Sequence, residues 1–129
     1  MNKIDIDLLK RLSMAFGPSG SEDKIRNIIK EEIKEYVDEI NIDTLGNLIA
    51  IKKGDGKKIM IASHMDEIGI MVTNIDEEGF LRFTNIGGVS AFSSLYQRVM
   101  FVDGTIGVLG MEKLDNMKEL KLDKMFIDI

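Results

Sequence analysis

Hydrophobic positions in this chain change period twice, and each change predicts a change of structure. Leu8, Leu9, Leu12, Ala15 and Phe16 recur at helical spacing, with Asp5 or Asp7 available as N-cap. The segment "GPSGSE" at 17–22 holds the only proline and two glycines, which predicts a turn. Ser19 and Glu22 have capping-box spacing for a second helix. That helix carries Ile25, Ile28, Ile29, Ile33, Tyr36 and Val37 on one face, a pattern for a long surface helix packed on a sheet.

From Glu39 the period shortens. "EINID", "NLIAIKK" and "KIMIAS" read as three strands joined by turns at "TLG" and "GDG". The connections are too short for parallel crossovers, so an antiparallel meander is expected. Ile59, Met60, Ile61 and Ala62 are apolar without alternation, which predicts a central strand buried on both faces. His64 would then lie at its C-terminal end, where open α/β sheets bind ligands.

Beyond Glu67 the pattern becomes short strands with turn residues between them: "IGIMVTNID", "GFLRFTNIG", "QRVMFVD", "TIGVLGM" and "KMFIDI". Even spacing of this kind predicts a small barrel or sandwich. The polar stretch 111–124 reads as a long loop with room for a short helix. The expected organisation is therefore an α/β part over 1–67 and an all-β part over 68–129. The first part has too few elements to cover both faces of its third strand, and the chain stops on a strand pattern at "FIDI". Both features suggest the N-terminal part of a longer protein.

Composition narrows the function. The chain has 129 residues, 44% hydrophobic and 30% charged, and a net charge of -5 from 17 basic and 22 acidic residues. An acidic chain gains nothing from counterion release, so nucleic acid and anionic membrane surfaces are not expected partners. Cysteine is absent, which removes disulfides, thiolate ligands and a Cys nucleophile. Acids interrupt the apolar pattern of the first twelve residues, no stretch reaches membrane-spanning length, and a cytoplasmic location is expected. The nine methionines read as core filler.

His64 is the only histidine, two residues before Asp66 in "ASHMDEIG". On one strand both side chains share a face, and a carboxylate beside an imidazole fixes its tautomer and makes it a better metal ligand. Spacing alone equally allows an ordinary strand-end histidine with a local hydrogen bond. A catalytic zinc needs about three protein ligands, and here the others would have to be carboxylates. Asp66 and Glu67 diverge on a strand, which is wrong for a glycosidase pair. Ser63 diverges from His64 in the same way, and no G-x-S-x-G elbow exists. "GPSGSE" lacks the lysine of a P-loop, and "NIGGVS" reads as a sharp turn.

Taken together, "FGPSGSE", "DTLGNLIA", "KIMIASHMDEIGIMV", "GFLRFTNIGG", "QRV" and "FIDI" resemble, in order and spacing, the N-terminal part of the dinuclear-metal aminopeptidases of the glutamyl/leucyl (tetrahedral) type. The resemblance implies an incomplete mixed-sheet α/β catalytic domain followed by part of an inserted small β-barrel-like domain that mediates assembly into dimers and larger shells. It implies that His64 is the first metal-ligand histidine and that Asp66 is the active-site carboxylate orienting it. It implies two divalent ions, zinc or cobalt, and short peptides as substrates. The family's bridging Asp, catalytic Glu and remaining ligands have no counterpart before Ile129. The chain alone is therefore expected to be inactive. The alternative is a non-catalytic oligomerisation module derived from such an enzyme. An exposed edge beside the His64 strand should favour association with a second copy.

Overall fold

The computed structural model describes residues 5–129. They form two compact units, Met1–Glu67 and Ile68–Ile129, each with its own internal packing.

The first unit holds helix α1 (Ile6–Ser13), helix α2 (Asp23–Ile33) and strands β1 (Glu39–Ile42) and β2 (Leu48–Ile51). Asp5 caps α1, its carboxylate accepting the Leu8 amide at 3.0 Å. Ala15 and Phe16 fall beyond the end of α1. The expected capping box of α2 does not form. Glu22 is the N-cap residue without a side-chain cap bond, and it accepts the Gly20 amide instead at 2.6 Å. Ser19 turns its hydroxyl away from α2 to the carboxylate of Asp66. The helix also ends at Ile33, short of Tyr36 and Val37, and Tyr36 is exposed. Ile25 is the buried apolar residue of α2, and Arg26 is buried beside it.

Strands β1 and β2 pair antiparallel, from Glu39 opposite Ile51 to Ile42 opposite Leu48. Asp43 organises their turn: its side chain accepts the amides of Leu45 and Asn47 and the side-chain amide of Asn47, at 2.8–3.0 Å. Gly46 completes the turn at φ +88, a conformation that disfavours any side chain. Arg26 reaches back from α2 to the Gly46 carbonyl at 2.8 Å.

The predicted third strand is absent. Residues 52–66 carry no regular secondary structure, and Ile59, Met60 and Ile61 are 85–92% exposed. The expected three-stranded meander is thus a two-stranded hairpin, and His64 does not end a central strand. A strand of this composition becomes a strand only when neighbours pair both edges and cover both faces. Among the described residues nothing supplies them.

The second unit follows its sequence pattern closely. Strands β3 (Gly69–Ile75), β4 (Leu81–Ile86), β5 (Arg98–Met100), β6 (Ile106–Met111) and β7 (Met125–Asp128) fall on the five predicted segments. They form one antiparallel sheet in the order β3-β4-β7-β6-β5. The barrel or sandwich suggested by strand spacing is realised as a single open sheet, with β3 and β5 as edges. Helix α3 (Ala91–Ser94) is one turn, and the polar stretch forms 3-10 turns at Met117–Glu119 and Leu122–Lys124.

Alternation along β4, β6 and β7 puts Leu81, Phe83, Leu109, Met125 and Ile127 on one face, where Leu120 covers them to form the buried core. Leu81 and Leu109 both stand opposite Ile127, on either side of it. A β-bulge between Val72 and Asn74 in β3 re-phases that strand, so Ile75 stands opposite Leu81 as Val72 stands opposite Phe83. On the other face Arg82 binds Asp76 and Glu112 at 2.7–2.9 Å and lies over the Phe126 ring. The Phe126 and Phe80 ring centroids are 4.2 Å apart. No helix of the described residues is long and apolar enough to cross a membrane.

Candidate functional site

The site is built where the Gly17–Ser19 turn meets Asp66 and Glu67. Pro18 and Glu67 form an isolated parallel bridge. The Glu67 amide donates to Gly17 O at 2.9 Å, and the Ser19 amide donates to Glu67 O at 3.3 Å. The Gly17 amide donates to the Glu67 carboxylate at 3.0 Å. Glycine is required at 17 because a Cβ there would lie 2.5 Å from Cγ2 of Ile25. The turn therefore rests directly on the buried residue of α2, and the segment carrying His64 is hung from that turn.

Side chains extend this backbone staple. Ser19 donates its hydroxyl to Asp66 Oδ2 at 2.6 Å. The other carboxylate oxygen of Asp66 lies 3.2 Å from His64 Nδ1, and the Asp66 carbonyl oxygen lies 3.0 Å from the same nitrogen. Both acceptors favour a proton on Nδ1, which leaves the lone pair on Nε2. The hydrogen bond from Ser19, with the smaller contributions of the local backbone and His64, holds the Asp66 carboxyl below the usual carboxylate range.

His64 and Asp66 line a cleft of about 440 Å³ in the first unit, with Glu22, Asn47, Ser63 and the apolar residues Ile29, Ile33 and Leu45. The His64 side chain is 85% exposed in it. The imidazole has the donor chemistry of a metal ligand whose far nitrogen is pinned by a carboxylate. Among the described residues no three His, Cys, Asp or Glu side chains cluster as a metal site. The residues present thus fit one ligand of a metal centre and not a whole one.

Sequence spacing brings His64 and Asp66 together, and the structure does the same by a different route. Their proximity comes from the local contact of the His64 ring with the Asp66 carbonyl and from the staple to 17–19, not from a shared strand face. Ser19 and Glu67 escaped the sequence reading as site residues: Ser19 has the spacing of a helix cap, and Glu67 has no patterned partner. The available signal was the presence of both "FGPSGSE" and "HMDEIG" among the motifs that carry the family resemblance.

Comparison with known proteins gives this α/β arrangement a class. It matches the TET aminopeptidase of the archaeon Thaumarchaeota archaeon SCGC AB-539-E09 with a TM-score of 0.86 at 36% identity, over 96% of this chain and 38% of that one. The TET1 peptidase of Pyrococcus horikoshii, which can assemble into a tetrahedron or a large octahedral shell, matches with a TM-score of 0.82 at 34% identity, over 96% and 40%. A protein of Acetivibrio thermocellus assigned to the aminopeptidases is 61% identical over 124 residues, which is 95% of this chain and 38% of that protein. Residues 46–129 match the model of the M42 glutamyl aminopeptidase family. The chain belongs to that family, and it spans about two fifths of the length of these relatives.

Proposed function

We propose that this chain is part of a metal-dependent aminopeptidase that removes N-terminal residues from short peptides. In this reading His64 binds one of two divalent ions, zinc or cobalt, through Nε2, and Asp66 orients it. The observation that carries the reading is the Asp66–His64 contact at 3.2 Å within a cleft of the first unit. A bound ion would supply Lewis-acid chemistry and a nucleophilic water. The chain's own contribution is to fix one imidazole and to line one wall of the cleft.

The unit Met1–Glu67 then belongs to the catalytic α/β domain, and Ile68–Ile129 to a small β-barrel-like domain inserted in it. Support for an assembly role of the second unit lies in its unpaired edges β3 and β5 and in the exposed apolar side chains they carry, among them Met71, Ile75 and Met100. A homo-oligomer goes with this reading, as does a cytoplasmic location.

The 129-residue chain by itself is expected to be catalytically silent. The test is an aminopeptidase assay on the purified chain with and without zinc or cobalt. Metal-dependent turnover would overturn the incomplete-site reading. In a longer form that hydrolyses peptides, His64→Ala should abolish metal-dependent activity, and retention of activity would remove His64 from the metal site.

A further inference from the structure

The side-chain chain Ser19–Asp66–His64 is longer than orientation of one histidine by one carboxylate requires. We propose that Ser19 is a positioning residue: its hydroxyl fixes the rotamer of Asp66, and Asp66 in turn sets the tautomer and direction of His64.

Three observations carry this. First, the two Asp66 oxygens are used separately, Oδ2 by the Ser19 hydroxyl at 2.6 Å and Oδ1 by His64 Nδ1 at 3.2 Å. A carboxylate held at both oxygens cannot turn without losing a bond. Secondly, Ser19 is itself placed by main-chain bonds, through its amide to Glu67 O and through the adjoining bond from the Glu67 amide to Gly17 O. The hydroxyl therefore arrives already oriented, and the bond to Asp66 costs little further ordering. Thirdly, the helix cap that would otherwise employ Ser19 is not made, because α2 starts from Glu22 without a side-chain cap. The serine is committed to the site rather than to the helix. Asp66 alone, with its side chain 41% exposed, would sample other rotamers in water.

The significance for metal binding rests on the function proposed above, but the orientation can be read without any metal. His64 is the only histidine, so its ring nitrogens give an unambiguous 15N signal in the 129-residue chain. At pH 8 the native ring should be mainly the Nδ1–H tautomer, and the Asp66 side-chain couplings should report a single χ1 rotamer. The Asp66 carbonyl, 3.0 Å from Nδ1, remains an acceptor in every variant, so Ser19→Ala should lower the Nδ1–H to Nε2–H ratio about twofold, the low end of the loss for one hydrogen bond. Ser19→Thr, which keeps the hydroxyl, should restore it. The main-chain staple remains in both variants and is checked by the amide signals of Gly17 and Glu67. An unchanged ratio in Ser19→Ala would overturn the proposal, as would Ser19→Thr behaving like Ser19→Ala. If Ser19→Ala does not fold, the χ1 measurement on the native chain decides, and rotamer averaging at Asp66 overturns the proposal. The two readings separate in a longer form that hydrolyses peptides. Retained metal-dependent activity of His64→Ala there, with the Ser19 effect on the ring persisting in the native chain, would sink the metal-ligand reading and leave the positioning role standing.

Discussion

Gly17 and Ile25 touch so closely that a single added carbon has no place: a Cβ at 17 would stand 2.5 Å from Cγ2 of Ile25 and 3.2 Å from its Cβ. The contact joins the turn that holds Asp66 and Glu67 to the one buried aliphatic side chain of α2. Gly17→Ala should push these apart and cost about 1–3 kcal/mol by overpacking. A urea titration followed by circular dichroism measures the loss, and a paired Gly17→Ala/Ile25→Leu variant, which removes the β-branch carrying Cγ2, should recover part of it. Equal stability of the single variant and the native chain would show that the turn is free to move.

Arg26 is the second tie within this unit. It is 8% exposed, donates to Gly46 O, and pairs with Asp23 and Glu22. Arg26→Met keeps most of the aliphatic volume and removes these bonds. The amides of Gly46 and Asn47 should then exchange with solvent about tenfold faster, in line with the loss of a charge-assisted hydrogen bond. Unchanged exchange would assign the turn's order wholly to Asp43.

The second unit has a pH signature. The Arg82 hydrogen bond, aided by Lys124, holds the Glu112 carboxyl below its ordinary range. Partial desolvation opposes ionisation of Asp76, yet hydrogen bonds from Arg82 and from the Phe80 and Glu78 amides outweigh it and lower that carboxyl too. A carboxylate lowered in the folded state contributes stability that is complete above its unfolded value and is lost as pH falls through the folded one. Denaturant midpoints should therefore be flat from neutral pH to the ordinary carboxylate range and fall below it. Arg82→Gln should weaken the chain at pH 7 and lose much of this dependence. A variant with the native acid slope would show that other carboxylates govern it.

Ile127 is 1% exposed at the centre of the sheet, between Leu81 and Leu109. Ile127→Ala should cost about 2–5 kcal/mol, the range for emptying a packed core site. Gly110→Ala should also destabilise, because its Cβ would meet the Phe126 ring at 2.5 Å and disturb the stack on Phe80. Calorimetry on both variants checks the pair, and an unshifted Ile127→Ala transition would place the core elsewhere.

Strand positions in the second unit were legible because its sheet has one buried and one solvated face. Alternation at Leu81/Phe83 and Met125/Ile127 encodes that arrangement residue by residue. The run Ile59–Ala62 misled for the opposite reason. It has no alternation, so only its surroundings decide what it becomes, and the described residues leave it exposed.

The sequence by itself determined that α1 and α2 exist, though not where they end, the five strands of the second sheet, the turn at "TLG" and the adjacency of His64 to Asp66. These are local: periodicity, turn chemistry and a two-residue spacing suffice for them. Only the tertiary structure decided that Ser19 serves Asp66 and not α2, and that Gly17 and Glu67 lock together. It alone fixed the strand order β3-β4-β7-β6-β5. Each of these joins residues far apart in the chain, through contacts that depend on distance in space and leave no periodic trace in the sequence.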